Sequence, residues 1–375
     1  MPLRGEDRAQ PAYTDLQQIR GGGNGIVYTG NHTVFGLPCV QKTYEKPGRA
    51  DAIAFREPRL LRELKHDHIV EIIDAQPDPD RRGHVTMVMP HYPGGDLTYH
   101  VNASPPPSLG TVIEWTRQIA SALDYLHVEK GYLHRDLKPG NIVIGTDGRA
   151  LLCDFGTAAE TSETGHTAAA RATAPYQPPE AAGRGWLHRK SDIYSLGLTA
   201  IELIDGAFLY HGLDMADIQG RVDKGRRAYT DTALASRRRA PHVPPAARVL
   251  LARCVDADPD RRPTAAELAV ALGRLWVIDW QRTDGIELDG EWHGTWPARA
   301  RADKAIALRV TSEVRTRGAH KGKRALVADC RQAPSSGWRT VGSTTSPSVV
   351  DVQDEAALSA FFKTVADIAA SRFPA

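Results

Sequence analysis

Two short polar segments constrain this chain more than any other part of it. The first is HRDLKPGN at residues 134–141; the second is the tripeptide Asp154-Phe155-Gly156. Eighteen positions separate Asp136 from Asp154. Asp136 can accept a proton from an attacking hydroxyl or orient it. Lys138, two residues on, can reach a phosphoryl group in transit. Asn141 can give a neutral oxygen to a metal ion. Asp154 offers a carboxylate suited to a hard, octahedral cation such as Mg2+ that bridges nucleotide phosphates. Phosphoryl transfer asks for in-line positioning and charge neutralisation more than for covalent chemistry, and these four side chains are of that kind.

The composition is that of a globular protein. The chain has 375 residues, 41% apolar and 25% charged, enough for one large domain and a smaller one. Its formal net charge is only +2, so any affinity for nucleic acid or membrane has to be local. Four cysteines, Cys39, Cys153, Cys254 and Cys330, lie far apart without metal-ligand spacing. That argues against a disulfide framework or a structural zinc. The first residues, MPLRGEDRAQ, carry no signal-peptide pattern, and no apolar run is long enough to span a bilayer. The expectation is a soluble, cytoplasmic protein without a membrane partner.

Gly21, Gly22, Gly23 and Gly25 cluster between two predicted strands, residues 16–19 and 26–28, which marks a tight, exposed turn. Residues 69–73 and 85–89 also read as strands. Val112, Trp115, Ile119, Leu123 and Leu126 share one face of a helix predicted over residues 108–127. From residue 191 to 275 the apolar spacing is mostly helical. A strand-rich half followed by a helix-rich half indicates an α+β catalytic unit of two lobes. Near residue 276 the character changes. Five of the seven tryptophans fall in the last hundred residues, alternation over 306–310 and 325–328 predicts strands, and 354–371 predicts a helix. The organisation expected is an N-terminal tail (1–12), a catalytic domain (13–275) and a small α+β appendage (276–375).

Taken in order, these motifs resemble the eukaryotic-type protein serine/threonine kinase family over roughly residues 13–275. The resemblance implies a two-lobed fold, with an antiparallel sheet and a helix in the N-lobe and a mainly helical C-lobe. It implies ATP and Mg2+ as cofactors. The family's GxGxxGxV loop falls on residues 20–27. Gly22 and Gly25 match its second and third glycines, Gly23 keeps the backbone open to phosphate oxygens, and Val27 matches the apolar lid over adenine. Arg20 replaces the first glycine. Lys42 matches the strand lysine that contacts the α- and β-phosphates.

Glu57 is the carboxylate expected to hold Lys42. Leu60, Leu61 and Leu64 recur three, four and seven residues after it, on the same helix face, whereas Glu63 turns away. Pro58 is awkward, because proline inside a helix costs about 3 kcal/mol or more; the helix has to begin near Glu57 or kink there. The segment TMVMPHYPGGDL resembles the family's hinge. Met89 would guard the pocket behind adenine, and the Pro90 carbonyl and Tyr92 amide would meet the adenine edge. Asp96 would bind ribose or cap the turn after Gly94-Gly95. Thr173 of ATAPYQPPE would bond Asp136 and Lys138 and help place the acceptor hydroxyl. Asn141 and Asp154 would hold the metal. Glu180 should pair with Arg262 in the interior, and Asp192 should hold the catalytic-loop backbone.

The implied activity is transfer of the γ-phosphoryl of ATP to serine or threonine hydroxyls of protein substrates. Small-molecule kinases share the metal residues but generally lack the PPE segment and its arginine. A pseudokinase scaffold has no need of Lys42, Asp136, Asn141 and Asp154 together. Arg135 stands where the family pairs an arginine with a phosphorylated activation-loop residue, so Thr161, Ser162, Thr164 and Thr167 are candidates for autophosphorylation. Between Arg299 and Arg339 eleven basic residues face three acidic ones. Nucleic acid, if bound at all, would bind there; the plainer reading is the solvated face of a small sheet, with the tryptophans as its core.

Overall fold

The computed structural model describes residues 12–22, 25–45, 55–77, 84–103, 105–169, 173–205, 213–229, 241–275, 277–282, 291–296, 306–314, 316–317, 321, 324–331, 337–341 and 355–372. The chain divides into two units, residues 1–95 with 143–158 and residues 96–142 with 159–375.

The first unit is built on an antiparallel sheet. Its strands are β1 (Tyr13–Gly22), β2 (Gly25–His32), β3 (Pro38–Glu45), β4 (Asp74–Pro77) and β5 (His84–Pro90), in the order β1-β2-β3-β5-β4. At the tip of the first hairpin Gly22 pairs with Gly25, and Gly25 has φ 117°, a region that side chains other than glycine rarely enter. Val27 lies opposite Lys42, and Lys42 opposite Met87. Directly opposed residues share a face, so the sheet brings these three side chains to one side. The helix α1 (Arg56–Glu63) carries Glu57, Leu60 and Leu61 on its buried face. It starts one residue before Glu57, which puts Pro58 in the first turn. An amide there has no intrahelical acceptor, so proline loses nothing and no kink is needed.

Residues 69–73 do not form the strand expected of them. Ile69 makes one isolated bridge to Leu152, the Val70 amide donates to the Leu152 carbonyl, and the ladder begins only at Asp74. Ile69 and Val70 are both buried. Two successive inward residues break the alternation that a half-exposed edge strand requires.

The second unit is mainly helical, with long helices at Leu109–Asp124 and Arg189–Asp205 and shorter ones at Pro245–Cys254 and Ala265–Gly273. Ser108 caps the first by accepting from the Thr111 amide at 3.2 Å, and Val112, Trp115, Ile119 and Leu123 are its buried stripe. The α-helix stops at Asp124 and passes into a π turn, Tyr125–Glu129, earlier than the apolar spacing predicts. Residues Ser191 through Leu203 of Arg189–Asp205 are all buried, the signature of a helix packed on every side.

After residue 277 five antiparallel strands follow one another in chain order: Asp279–Arg282, Trp292–Trp296, Ile306–Val314, Arg324–Arg331 and Arg339–Thr340. Their inner face, with Trp280, Trp292, Trp296, Leu308 and Leu326, packs with Leu358, Phe361 and Phe362 of the helix Glu355–Arg372. Trp276 lies outside the described residues. Trp338 departs from expectation: it is not part of this core and lies instead against the guanidinium groups of Arg309 and Arg331, 4.6 and 4.5 Å from its ring centre. Among the described residues, contacts from the helix Leu109–Asp124 and from the turn before Pro245–Cys254 join the sheet to the rest of its unit. The Asp279 carboxylate accepts from the Gly110 amide at 2.7 Å, and the His242 ring packs on Trp292 at 4.5 Å. No described helix is long and apolar enough to cross a membrane.

Candidate active site

The first unit assembles a buried ion triad. Lys42 Nζ lies 2.6 Å from Asp154 Oδ1 and 3.6 Å from Glu57 Oε1. Burial, the largest effect on Lys42, pulls its pKa down. The Glu57 and Asp154 carboxylates together outweigh that pull, so the pKa ends raised and the ammonium stays charged. Asp154 has φ 61°, a left-handed backbone that costs a non-glycine residue about 1–3 kcal/mol. Phe155, buried at the start of the short 3-10 turn Phe155–Thr157, anchors that geometry. The glycine that follows has a steric reason: a Cβ on Gly156 would sit 2.8 Å from Glu57 Oε2. Val27 projects from the same sheet face as Lys42. Met89 and Pro90 close β5, paired with Val40 and Cys39, and Tyr92 follows, with burial pushing its phenol pKa up. Gly22 and Gly25 flank the hairpin tip; Gly23 lies outside the described residues.

The second unit gathers a fan of bonds on Asp136. Lys138 Nζ donates to Asp136 Oδ2 at 2.7 Å and to Thr173 Oγ1 at 2.7 Å. Thr173 donates to Asp136 Oδ1 from its amide at 3.1 Å and from its hydroxyl at 3.0 Å. Asn141 Nδ2 donates to the Asp136 carbonyl at 2.6 Å and to its carboxylate at 3.2 Å. Asp136 is thus held rigid by four groups and is only 6% exposed. The planar amide of Asn141 then directs its oxygen away from Asp136, the orientation a hard cation would need. Asp96 caps the helix Leu97–Val101 by accepting from the Thr98 amide at 2.9 Å.

The backbone of the loop at residues 134–141 is strained and pinned. Arg135 has φ 70°, and the buried Asp192 carboxylate accepts from the His134 and Arg135 amides, both at 2.9 Å. Its other contact, His127 Nε2 at 2.8 Å, was not anticipated from the sequence. A signal was available: His127 falls four residues after Leu123 on the apolar face, and a polar ring there must have a partner. Glu180 and Arg262 form the expected pair, with paired bonds of 2.7 and 2.8 Å and Arg262 1% exposed. Ser191 adds a third bond to Glu180 at 2.8 Å. In the activation segment Thr161 donates to the Gly131 carbonyl and Ser162 bonds Thr164. Arg135 reaches the Ala168 carbonyl at 2.8 Å. Among the described residues no cluster of three or more His, Cys, Asp or Glu side chains could hold a metal by itself.

The protein kinase domain family matches residues 13–271, and the chain belongs to that family. It is 27% identical over 303 residues to maternal embryonic leucine zipper kinase of Danio rerio, covering 79% of this chain and 41% of that protein. It is 29% identical to the serine/threonine-protein kinase PrkC of Bacillus subtilis, covering 69% of this chain and 40% of that one. With the probable serine/threonine-protein kinase PknB of Lactococcus lactis it shares 31% identity, covering 53% and 32% respectively. The chain spans at most about two fifths of the length of these curated relatives.

Proposed function

We propose that this chain is an ATP- and Mg2+-dependent protein kinase that phosphorylates serine or threonine hydroxyls of protein substrates. The observation that carries the reading is the fan on Asp136: a carboxylate fixed by Lys138, Thr173 and Asn141. Asp136 orients the acceptor hydroxyl and takes its proton. Lys138, already bonded to both Asp136 and Thr173, meets the charge that develops on the transferring group. Thr173 keeps the acceptor side of the loop in register. Lys42, held charged by Glu57, binds the α- and β-phosphates, and the hairpin glycines, Val27, Met89, Pro90 and Tyr92 receive the rest of the nucleotide. Asp96 serves the ribose in addition to its capping bond.

Asn141 would give Mg2+ its carboxamide oxygen and Asp154 a carboxylate oxygen, and both are the hard donors this ion takes. Bound Mg2+ and ATP supply the phosphoryl group and the neutralisation of its charge. Residues 276–375 are read as an α+β appendage to the kinase domain. Autophosphorylation of Thr161, Ser162, Thr164 or Thr167 would give Arg135 a phosphate to hold in place of the Ala168 carbonyl.

Transfer of radiolabel from ATP to the chain itself and to a generic basic protein tests the reading. Asp136→Asn preserves the shape of the side chain but not its basicity, so turnover should fall by orders of magnitude with the fold intact. Equal label from the parent chain and from Asp136→Asn would place the reaction elsewhere.

A further inference from the structure

On the outer face of the C-terminal sheet one row of cross-strand partners reads Asp279, Thr295, Ala307, Arg331. Directly opposed residues point to the same side. Neighbouring strands lie about 4.8 Å apart, so the acid and the base stand about 14 Å apart at the backbone. The two residues between them are small. The row is therefore the floor of a trough, charged with opposite sign at its two ends. The proline run 105–107 and Trp338 wall it, and the cavity is about 510 Å3, inside the range of small-ligand sites, about 300–1,000 Å3.

Both ends are preorganised. The Asp279 carboxylate is aimed by the Gly110 amide at 2.7 Å, a bond that engages Oδ1. The Arg331 guanidinium carbon lies 4.5 Å from the centre of the Trp338 ring, a cation–π contact that holds the side chain at that end of the trough. On the same ring Arg309 is met by Asp329 at 3.0 Å.

We propose that this trough binds a small zwitterion. Its ammonium would lie at Asp279, its carboxylate at the Arg331 fork, and its apolar linker over Thr295 and Ala307. Chemically this is an amino acid with widely spaced charges or a short peptide. A simple anion is repelled by Asp279 and a simple cation by Arg331, whereas a ligand carrying both charges at the right separation satisfies each end. The stiff proline wall adds contact area with little side-chain entropy to lose.

Calorimetric titration of the full chain at low salt tests this. The probes are γ-aminobutyrate, 6-aminohexanoate, 8-aminooctanoate and triglycine, with hexanoate and hexylamine as single-charge controls. At least one zwitterion should bind, with a length optimum in the ω-amino acid series, and the controls should bind at least tenfold more weakly. Asp279→Asn keeps an oxygen acceptor for Gly110, and Arg331→Gln keeps a planar side chain; each should weaken the zwitterion at least tenfold. Ala307→Leu should fill the floor and abolish binding. Failure of every zwitterion to titrate would overturn the proposal. So would hexanoate or hexylamine binding as tightly as 6-aminohexanoate, or Ala307→Leu binding like the parent chain. These readouts measure binding alone, so they stand or fall independently of phosphoryl transfer.

Discussion

A carboxylate buried against a guanidinium contributes to stability only while it is ionised. Burial is the largest effect on Glu180 and pulls its pKa up. The paired bonds from Arg262 overcome that pull, so its pKa lies below the ordinary value of 4.5. A depressed folded pKa means stability that is complete above the unfolded value and lost as pH falls through the folded one. Stability measured by urea unfolding should therefore decline as pH drops below about 4.5. Glu180→Gln should lose about 3–5 kcal/mol already at pH 7, because it leaves Arg262 buried without its counter-charge. Its further decline in acid should be shallower than that of the parent. Parallel acid slopes would mean that another group titrates. This pair was legible in the sequence because both partners sit in motifs, PPE and DRRP. The bond between His127 and Asp192 was not, because neither residue's own neighbours name the other; only the tertiary fold does.

At the scale of elements, legibility followed periodicity. Leu109–Asp124 has one apolar stripe and was foreseen to within a few residues of its end. Arg189–Asp205 is buried all round, so it has no stripe, and spacing gave its presence but not its orientation. Pro58 looked like a defect until the start of α1 placed it in the first turn. The C-terminal strands Ile306–Val314 and Arg324–Arg331 were visible as alternation, whereas Trp292–Trp296 was hidden: its five residues include Gly294, whose missing side chain makes room for Trp280. Close helix packing makes its own prediction. A Cβ on Gly197 would lie 2.6 Å from the Cβ of Cys254, where neither backbone can yield cheaply. Gly197→Ala should therefore cost about 1–3 kcal/mol by overpacking, outweighing the roughly 0.5–1 kcal/mol that alanine gains over glycine in a helix. Denaturant unfolding gives the sign directly, and a stabilised variant would show that the two helices separate without penalty.

At the scale of the whole molecule, each unit holds one of the two clusters on which the proposed chemistry rests: the Lys42 triad in one, the Asp136 fan in the other. Each cluster gathers side chains from separate segments, Lys42, Glu57 and Asp154 in one and residues 136–141 with Thr173 in the other, and was legible because those segments are themselves short motifs. The attachment of the C-terminal sheet has no motif and is built from distant single residues. Asp279 supplies an acceptor to Gly110, in the first turn of Leu109–Asp124, and His242 covers Trp292. Loss of a capping acceptor costs about 0.5–2 kcal/mol, and about 1 kcal/mol moves the melting temperature of a domain of 150–250 residues by about 2–4 °C. Asp279→Ala should therefore lower it by a few degrees, while Asp279→Asn, which keeps an oxygen toward Gly110, should lower it less. A chain ending at residue 275 should melt lower than either, since it also strips His242 of its aromatic neighbours. If the shortened chain melted with the parent, the sheet would be a passenger on the helices rather than part of what stabilises them.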